Sequence, residues 1–470
     1  MPTPNKSESA PDNALAAAPA APAAQIIAPA APVALPGLST LELYGGFAFI
    51  ESFIEGVQNV SPERKARKSI FMTDEARKQD RALLKQKLSL WVELLENNAT
   101  RSEMLEKSKE KSELASALYK KNMLRALSAS RNLERNYRAV SMFYKNTESD
   151  KVSNVTILNA SLEQLTDLDN PIFIDKVADE LKQNYDRLDL RTNYSLLIVP
   201  GFMRTNKILE PWAKLAHANK AMLVTDFADL ESSEDTVDMF QTTDMAGGDM
   251  FRSNVIMACN WLAGRGRETS VGESEDLFVP PSAALAGKIY HTLMSQVTAG
   301  KKHGCLNEVD GVRFPLLKSE LSSLDRLGLV PMVNEYGKVM AFSAKTLFNG
   351  SSIGLRTYSV VRVFDYIAKV LFDFLNRRAF ENWNSQIEND LRREIVDFLD
   401  SVKGPSKLIS QFKIMRFERD DKIKDQIYLD IRLTPYFPSK SFVIRLDGRK
   451  GDDAESPAWN SDYNEVEVAA

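Results

Sequence analysis

The first regular pattern of apolar and polar positions begins at Ser39, after a leader rich in alanine and proline. Apolar residues then recur at helical spacing: Leu43, Phe47, Ile50 and Ile54. Ser39 and Glu42 form a capping-box sequence, so the pattern predicts an amphipathic helix that starts there. The leader, residues 1–37, offers too little apolar surface to offset its ordering entropy, and we expect it to be disordered.

Two more helices are predicted before residue 149. One follows Thr73 and carries a second apolar face: Leu84, Leu88, Trp91 and Leu95. The other begins at Thr100, where Glu103 completes a capping box, and runs to about Tyr137 with few apolar residues. Its charge predicts a helix that is solvated or paired with a partner. Residues 38–149 thus form a predicted helical arm with more apolar stripe than it can bury, which favours docking on another chain.

Short β-branched runs alternate with helical patterns after residue 150. The runs are Val155–Leu158, Leu196–Val199, Met222–Val224 and Lys338–Phe342, and the helical patterns are Ile172–Tyr185, 207–218, Ser253–Leu262 and Pro281–Val297. Such alternation is typical of a largely parallel sheet covered by helices. We therefore predict an α/β core domain at 150–350, in which Val255–Cys259 belongs to an apolar helix.

Residues 351–470 are predicted to contain two helices and several strands. The first helix, Thr357–Leu375, is apolar on most of its circumference, and the second, Phe380–Asp400, is an ordinary amphipathic helix. Three runs of period two follow and predict an antiparallel meander: Phe412–Phe417, Ile427–Leu433 and Phe442–Leu446. A last alternating strand consists of Tyr463, Asn464, Glu465, Val466, Glu467 and Val468. Its tether is long enough for it to leave its own domain, although a disordered tail is the alternative.

Composition limits the function classes. The 470 residues are 44% apolar and 26% charged, with no apolar run long enough to span a bilayer, so we expect a soluble protein without membrane insertion. The net charge of −4 gives no reason to expect a nucleic-acid partner. Two cysteines do not make a disulfide framework, and a reducing cytoplasm fits best.

The sequence contains no recognisable catalytic or cofactor motif. Its three histidines lack metal-ligand spacing, and Cys259 is expected to be a buried apolar residue. Cys305 follows two lysines but has no orienting partner in sequence. We therefore predict no catalytic residue, no metal and no cofactor, while an α/β enzyme acting from residues 150–350 stays an alternative.

Four segments in order carry a family resemblance. They are Val279–Ser282, Leu327–Pro331, Val363–Lys369 and Phe380–Trp383, and the later Leu433–Phe437 continues the series. Together they resemble the large subunits of type VI secretion contractile sheaths, which are relatives of phage tail sheath proteins. The resemblance implies a contractile tail-sheath fold of mixed α/β (α+β) class. A phage tail sheath or an extracellular contractile particle is the alternative within this class.

The resemblance also implies partners. Large and small sheath subunits of this family form a hollow helical cylinder around an inner tube, above a baseplate, and contraction drives the tube outward. Neighbouring copies are linked by exchanged strands, and a AAA+ ATPase dismantles the contracted sheath. The expected location is a cytoplasmic filament anchored to an envelope complex.

Particular residues follow as expectations. The strand Tyr463–Val468 is predicted to pair with a neighbouring copy, and the two apolar faces within 38–95 with the small subunit. The helix at Leu41–Val57 has an alternative role as a handle for the ATPase. Arg392, Arg393 and Glu394 are candidates for the tube-facing surface, with a solvated helix face as the alternative.

Overall fold

The computed structural model describes residues 70–98, 100–148, 152, 154–187, 193–440, 443–448 and 459–464. The chain divides into two compact units, Met1–Tyr119 and Lys120–Ala470. The predicted leader and the stripe Leu43–Ile54 lie outside the described residues.

Two helices dominate the N-terminal part. α1 spans Lys78–Glu96 and α2 spans Arg101–Asn146. The Thr100 hydroxyl accepts from the backbone N–H of Glu103, and the Glu103 carboxylate accepts from the backbone N–H of Thr100, each at 3.3 Å. This reciprocal pair confirms the predicted capping box and explains why α2 begins where it does. The helix continues past Tyr137, where the sequence pattern had ended it.

The remaining helices and strands follow in chain order. The helices are α3 (Leu162–Thr166), α4 (Ile172–Tyr185), α5 (Asn206–Ala218), α6 (Ser233–Thr243), α7 (Ser282–His291), α8 (Gly300–His303), α9 (Lys318–Arg326), α10 (Ile353–Arg356), α11 (Tyr358–Arg377) and α12 (Ser385–Ser401). The strands are β1 (Leu196–Phe202), β2 (Met222–Asp226), β3 (Val255–Cys259), β4 (Leu262–Arg265), β5 (Leu277–Val279), β6 (Gly311–Val312), β7 (Leu329–Glu335), β8 (Lys338–Ala341), β9 (Ile409–Arg419), β10 (Ile427–Pro435), β11 (Val443–Gly448) and β12 (Trp459–Asn464).

The central sheet has the strand order β1-β2-β3-β7-β8. β1, β2, β3 and β7 are parallel, and β8 returns antiparallel to β7. Alternate residues of these strands enter two separate cores: Val224 and Ile256 pack with α7, whereas Leu223 and Met257 pack with α4 and α5. The largely parallel sheet with helices on both faces confirms the predicted α/β core.

Two predictions in this domain are wrong. Val255–Cys259 is the central strand β3 rather than part of a helix, and all five of its residues are buried. A short apolar run covered on both faces has no period that separates it from a buried helix. Val155–Leu158 forms no strand, and all four of its residues are exposed. The sequence also gave no sign of the small antiparallel sheet β5-β4-β6.

The C-terminal region builds a third core from α11, α12 and β9, in which Val363, Ile395 and Phe417 are buried together. α12 begins at Ser385 rather than Phe380, because the Asn384 side chain caps it by accepting from the N–H groups of Gln386 and Ile387. The three predicted runs overlap β9, β10 and β11, but the strands form two separate antiparallel pairs, β9 with β10 and β11 with β12. The single three-stranded meander is therefore wrong for the described residues.

Candidate assembly surfaces

Among the described residues, the α1 helix presents an exposed apolar face. Leu84, Leu88 and Trp91 are spaced by four and three residues, and they are 44%, 52% and 63% exposed. Burying an aliphatic or aromatic side chain of this size is worth about 1.5–3 kcal/mol, so burial of these three side chains against a partner would contribute substantially to binding. The side chain of Leu95, and the stripe Leu43–Ile54 that was predicted to act with this face, lie outside the described residues.

The C-terminal part of α2 is fastened to the core domain by arginines. Three of them, on one side of the helix, donate to backbone carbonyls of the β4–β5 region: Arg131 to Asp276 at 2.5 Å, Arg135 to Phe278 at 3.0 Å and Arg138 to Gly264 at 2.8 Å. The helix predicted to be solvated or paired with a partner is therefore docked on its own chain over this part. Sequence shows these residues only as a charged row at helical spacing, which is also what a solvated face looks like.

An ion-pair network strengthens the same junction. The Glu273 carboxylate lies 2.7 Å from both the Arg131 and the Arg265 guanidinium groups, and Glu134 of α2 lies 3.0 Å from Arg265. Hydrogen bonding from Arg265 lowers the pKa of Glu273 from 4.5 to about 2. Because Arg265 bridges Glu134 and Glu273, the network ties residues 131–138 of α2 to the core.

Close backbone contact completes the docking of α2. A Cβ on Gly287 of α7 would lie 2.2 Å from the carbonyl oxygen of Phe143 in α2. Only glycine allows this approach, and Ala139 and Met142 are buried beside it. The Ala286-Gly287 pair, which follows the Val279–Ser282 segment of the family resemblance, thus has a packing role.

A buried carboxylate joins the central sheet to α7. Asp226, at the end of β2, accepts from the backbone N–H of Gly201 at 2.8 Å, and from the N–H and hydroxyl of Ser282 at 2.7 and 2.5 Å. Burial raises the pKa of Asp226 to about 7 against the opposing effect of these bonds. Ligands of open α/β sheets bind at the carboxyl ends of the strands. At β2 this position is filled by the N-terminus of the chain's own α7.

The residues considered for chemistry have structural surroundings. Cys259 is fully buried, and burial raises the pKa of its thiol far above the usual range. His217 lies 2.8 Å from the Asn254 side-chain oxygen, and His291 lies 3.1 Å from Glu148. Within the described residues no group of three or more His, Cys, Asp or Glu side chains is placed to hold a metal ion. In the same residues no helix is long and apolar enough to cross a membrane.

The predicted strand-exchange segment is only partly described. Tyr463 and Asn464 belong to β12 and pair with Ile444 and Val443 of the same chain. Residues 465–468 lie outside the described residues. Apart from a parallel bridge between Ile409 and Lys403, each strand of the pairs β9–β10 and β11–β12 pairs with only one other strand among the described residues, and a free edge of this kind accepts a further strand.

The candidate tube-facing residues all have partners on their own chain. They are Arg392 with Glu388 at 3.4 Å, Arg393 with Asp390 at 3.1 Å, and Glu394 with Arg378 at 2.6 Å. Arg392 also donates to the Phe417 carbonyl at 3.2 Å, which ties α12 to β9. These contacts fit either a solvated helix face or a surface that meets a partner, so the tube-facing role stays a prediction.

Comparison with protein families decides the identity. Models of one family match three successive parts of the chain: the TssC/VipB-like N-terminal region at 36–123, the type VI secretion system TssC/VipB central domain at 125–349, and the TssC/VipB-like C-terminal domain at 357–465. The chain belongs to the TssC/VipB family. It is a structural subunit of a type VI secretion contractile sheath, a self-associating polymer, as the sequence resemblance predicted.

Solved structures similar to this TssC/VipB chain include two from the anti-feeding prophage. Its baseplate structure has 13% identity, covering 65% of this chain and 78% of that chain with a TM-score of 0.48. Its contracted helical sheath has 14% identity, 67% and 81% coverage and a TM-score of 0.45. The contracted PVC sheath of an extracellular contractile injection system has 15% identity, 56% and 71% coverage and a TM-score of 0.42. No curated protein matches the chain.

Proposed function

We propose that this TssC/VipB subunit polymerises with a small sheath subunit into a hollow helical sheath around an inner tube, and that contraction of the sheath propels the tube into a target cell. The observation that carries the proposal is the uncovered face of α1, where Leu84, Leu88 and Trp91 stand exposed on one side. Exposing an apolar face of this kind to water costs free energy, and burying it against a partner helix removes that cost. We assign this face, with Leu95 and the stripe Leu43–Ile54, to the small subunit.

Each region of the chain has a separate role in the proposed sheath. Residues 1–37 are the leader, 38–149 the arm that holds the small subunit, 150–350 the rigid core and 351–470 the inner helices with exchanged strands. The ion pairs of Arg131 with Glu273 and of Glu134 with Arg265 support this plan, because they join the C-terminal part of α2 to the core. Strand exchange through Tyr463–Val468 keeps neighbours connected while the domains rotate, since main-chain pairing holds its register.

The inner surface and the remaining partners complete the proposal. Arg392, Arg393 and Glu394 face the inner tube, the sheath starts from a baseplate, and a AAA+ ATPase recycles the contracted form. The leader and the helix after Ser39 are the part that the ATPase grips if the small subunit does not cover them. The filament lies in the bacterial cytoplasm, attached to an envelope complex, and the chain itself catalyses no reaction.

Imaging in cells tests this function. A fluorescent fusion of the chain, expressed with the complete secretion gene cluster, should form long filaments that shorten abruptly, and cells lacking the chain should stop releasing the tube protein. Diffuse fluorescence together with unchanged release of the tube protein would contradict the proposal. A Trp91→Glu fusion, which should stay diffuse, connects the result to the α1 face.

A further inference from the structure

A basic cavity of about 790 Å³ lies at the junction of the core and C-terminal regions. Five lysines from four parts of the chain line it: Lys288, Lys301, Lys302, Lys338 and Lys407. His291 and His303 also line the cavity, whereas Glu148 is the one carboxylate among its described lining residues. Such convergence of cations from α7, α8, the start of β8 and the segment before β9 is not a feature of a solvated helix face.

The single carboxylate leaves most of this charge unbalanced. Glu148 pairs with both Lys288 and His291. Lys302, Lys338 and Lys407 make no ion pair within the part of the chain that the structure describes. Burial and the charges of Lys302 and Lys288 lower the pKa of His303, as expected where the potential is positive. The cavity therefore carries excess positive charge that carboxylates from outside its described lining would neutralise.

Its rim suits a peptide. Tyr436 and Phe437, at the end of β10, line the cavity, and Phe437 is half exposed. Aromatic and aliphatic groups beside a row of lysines give an extended acidic peptide both charge pairing and apolar contact. This combination favours a peptide over a small inorganic anion, because such an anion makes no apolar contact with the aromatic side chains.

The chain contains a segment of the complementary charge. Residues 451–470 carry six carboxylates and no Lys or Arg, and three of the six fall within Asp452–Glu455. In its own chain this cluster follows β11, whose six residues pair along β12. Because sheath subunits associate with copies of themselves, this cluster on one copy is available to the cavity of the next.

We propose that the acidic cluster Asp452–Glu455 of one copy docks into the basic cavity of a neighbouring copy and serves as an electrostatic latch between sheath subunits. The latch rests on the proposed sheath function. The latch is a second contact between copies, in addition to strand exchange. Its charge pairs tolerate sliding of neighbouring subunits better than a hydrogen-bonded ladder does, because Coulomb attraction is not directional.

Charge reversal and rescue test the latch in the full-length chain co-expressed with its small subunit. Lys302→Glu with Lys407→Glu should reduce the number of sheaths in electron micrographs about tenfold, which corresponds to about 1.4 kcal/mol. The control Lys176→Glu with Lys182→Glu changes the net charge equally on the exposed side of α4 and should have no effect. Adding Asp452→Lys and Asp453→Lys to the cavity variant should restore sheaths. Unchanged sheath numbers in the cavity variant, or no rescue, would overturn the latch.

Cross-linking identifies the occupant. Cys305 lines the cavity, and Cys259 is buried, so Ala454→Cys provides one new thiol that only the latch brings close. Mild oxidation of assembled sheaths should give disulfide-linked dimers and longer chains on non-reducing gels, and Cys305→Ser should abolish them. A disulfide within single chains, or none, would refute docking on a neighbour. If the wild-type chain forms no sheaths, the proposed function itself is refuted. If sheaths form but the Ala454→Cys chain gives no disulfide between copies, only the latch is refuted.

Discussion

Replacing Gly287 by alanine is the smallest change that tests how the long helix α2 is fixed to the core. The added Cβ would lie 2.2 Å from the Phe143 carbonyl oxygen and 3.1 Å from the Asn146 Cβ. The nearer obstacle is helix backbone, which cannot rotate aside as a flexible side chain does. The two helices therefore have to separate at this point.

The size of the effect follows from that separation. Ordinary carbon–oxygen contacts begin near ~3.3 Å, so α2 has to withdraw by about 1 Å. A radial gap of about this size forfeits roughly a quarter to a half of the dispersion energy between facing groups. Ala139 and Met142 lie in the buried cluster that would open. Overpacking typically costs about 1–3 kcal/mol, and each kcal/mol lowers the Tm of a domain of this size by about 2–4 °C.

Calorimetry and limited trypsin digestion measure this effect. Gly287→Ala should lower the Tm by several degrees and expose cleavage sites in the C-terminal part of α2, since Arg131, Arg135 and Arg138 lose their carbonyl partners when the helix lifts. Gly248→Ala is the matched control, because a Cβ there meets nothing within 4 Å. Equal Tm values and equal digestion patterns for the two variants would refute the packing account.

Three further predictions concern charge and assembly. The pKa of Glu273 is about 2 in the folded chain against an ordinary 4.5, so its stabilising effect should be complete above pH 4.5 and disappear as the pH falls through 2. The Tm difference between wild type and Glu273→Gln should therefore shrink on acidification, and a constant difference would contradict the assigned network. Trp91→Glu should change the Tm little, because the side chain is exposed, yet prevent co-purification with the small subunit, whereas Gln86→Glu on the opposite side of the helix should not. Deleting residues 465–470 preserves the β11–β12 pairs but should abolish long sheaths in micrographs; normal sheaths would exclude the strand-donor role.

Local patterns predicted much of the architecture. The helix Ile172–Tyr185 was predicted from its period and the α2 capping box from a cap with a defined chemistry, whereas β1 and β2 were predicted from short β-branched runs between helical patterns. β3 was mistaken for a helix because five buried apolar residues have no period of their own. Its position in the centre of the sheet depends on neighbours distant in sequence.

The contacts of the assembly surfaces were harder to predict because they depend on partners that are distant in the chain. The sequence around Gly287 does not show that the Phe143 carbonyl lies against it. In the same way, the sequence around Glu273 does not show that it pairs with Arg131. The basic cavity combines residues from 148 to 438, and no local window brings them together. The pairing of β11 with β12 instead of β10 is likewise a choice among equally alternating strands.

Electron microscopy of the purified chain, with and without a small sheath subunit, tests the central claim most directly. Mixing the two should produce hollow tubules, and the chain alone should give none, because the α1 face is then uncovered. Compact particles in both samples, with α1 equally protected from hydrogen exchange, would contradict a sheath built on that face.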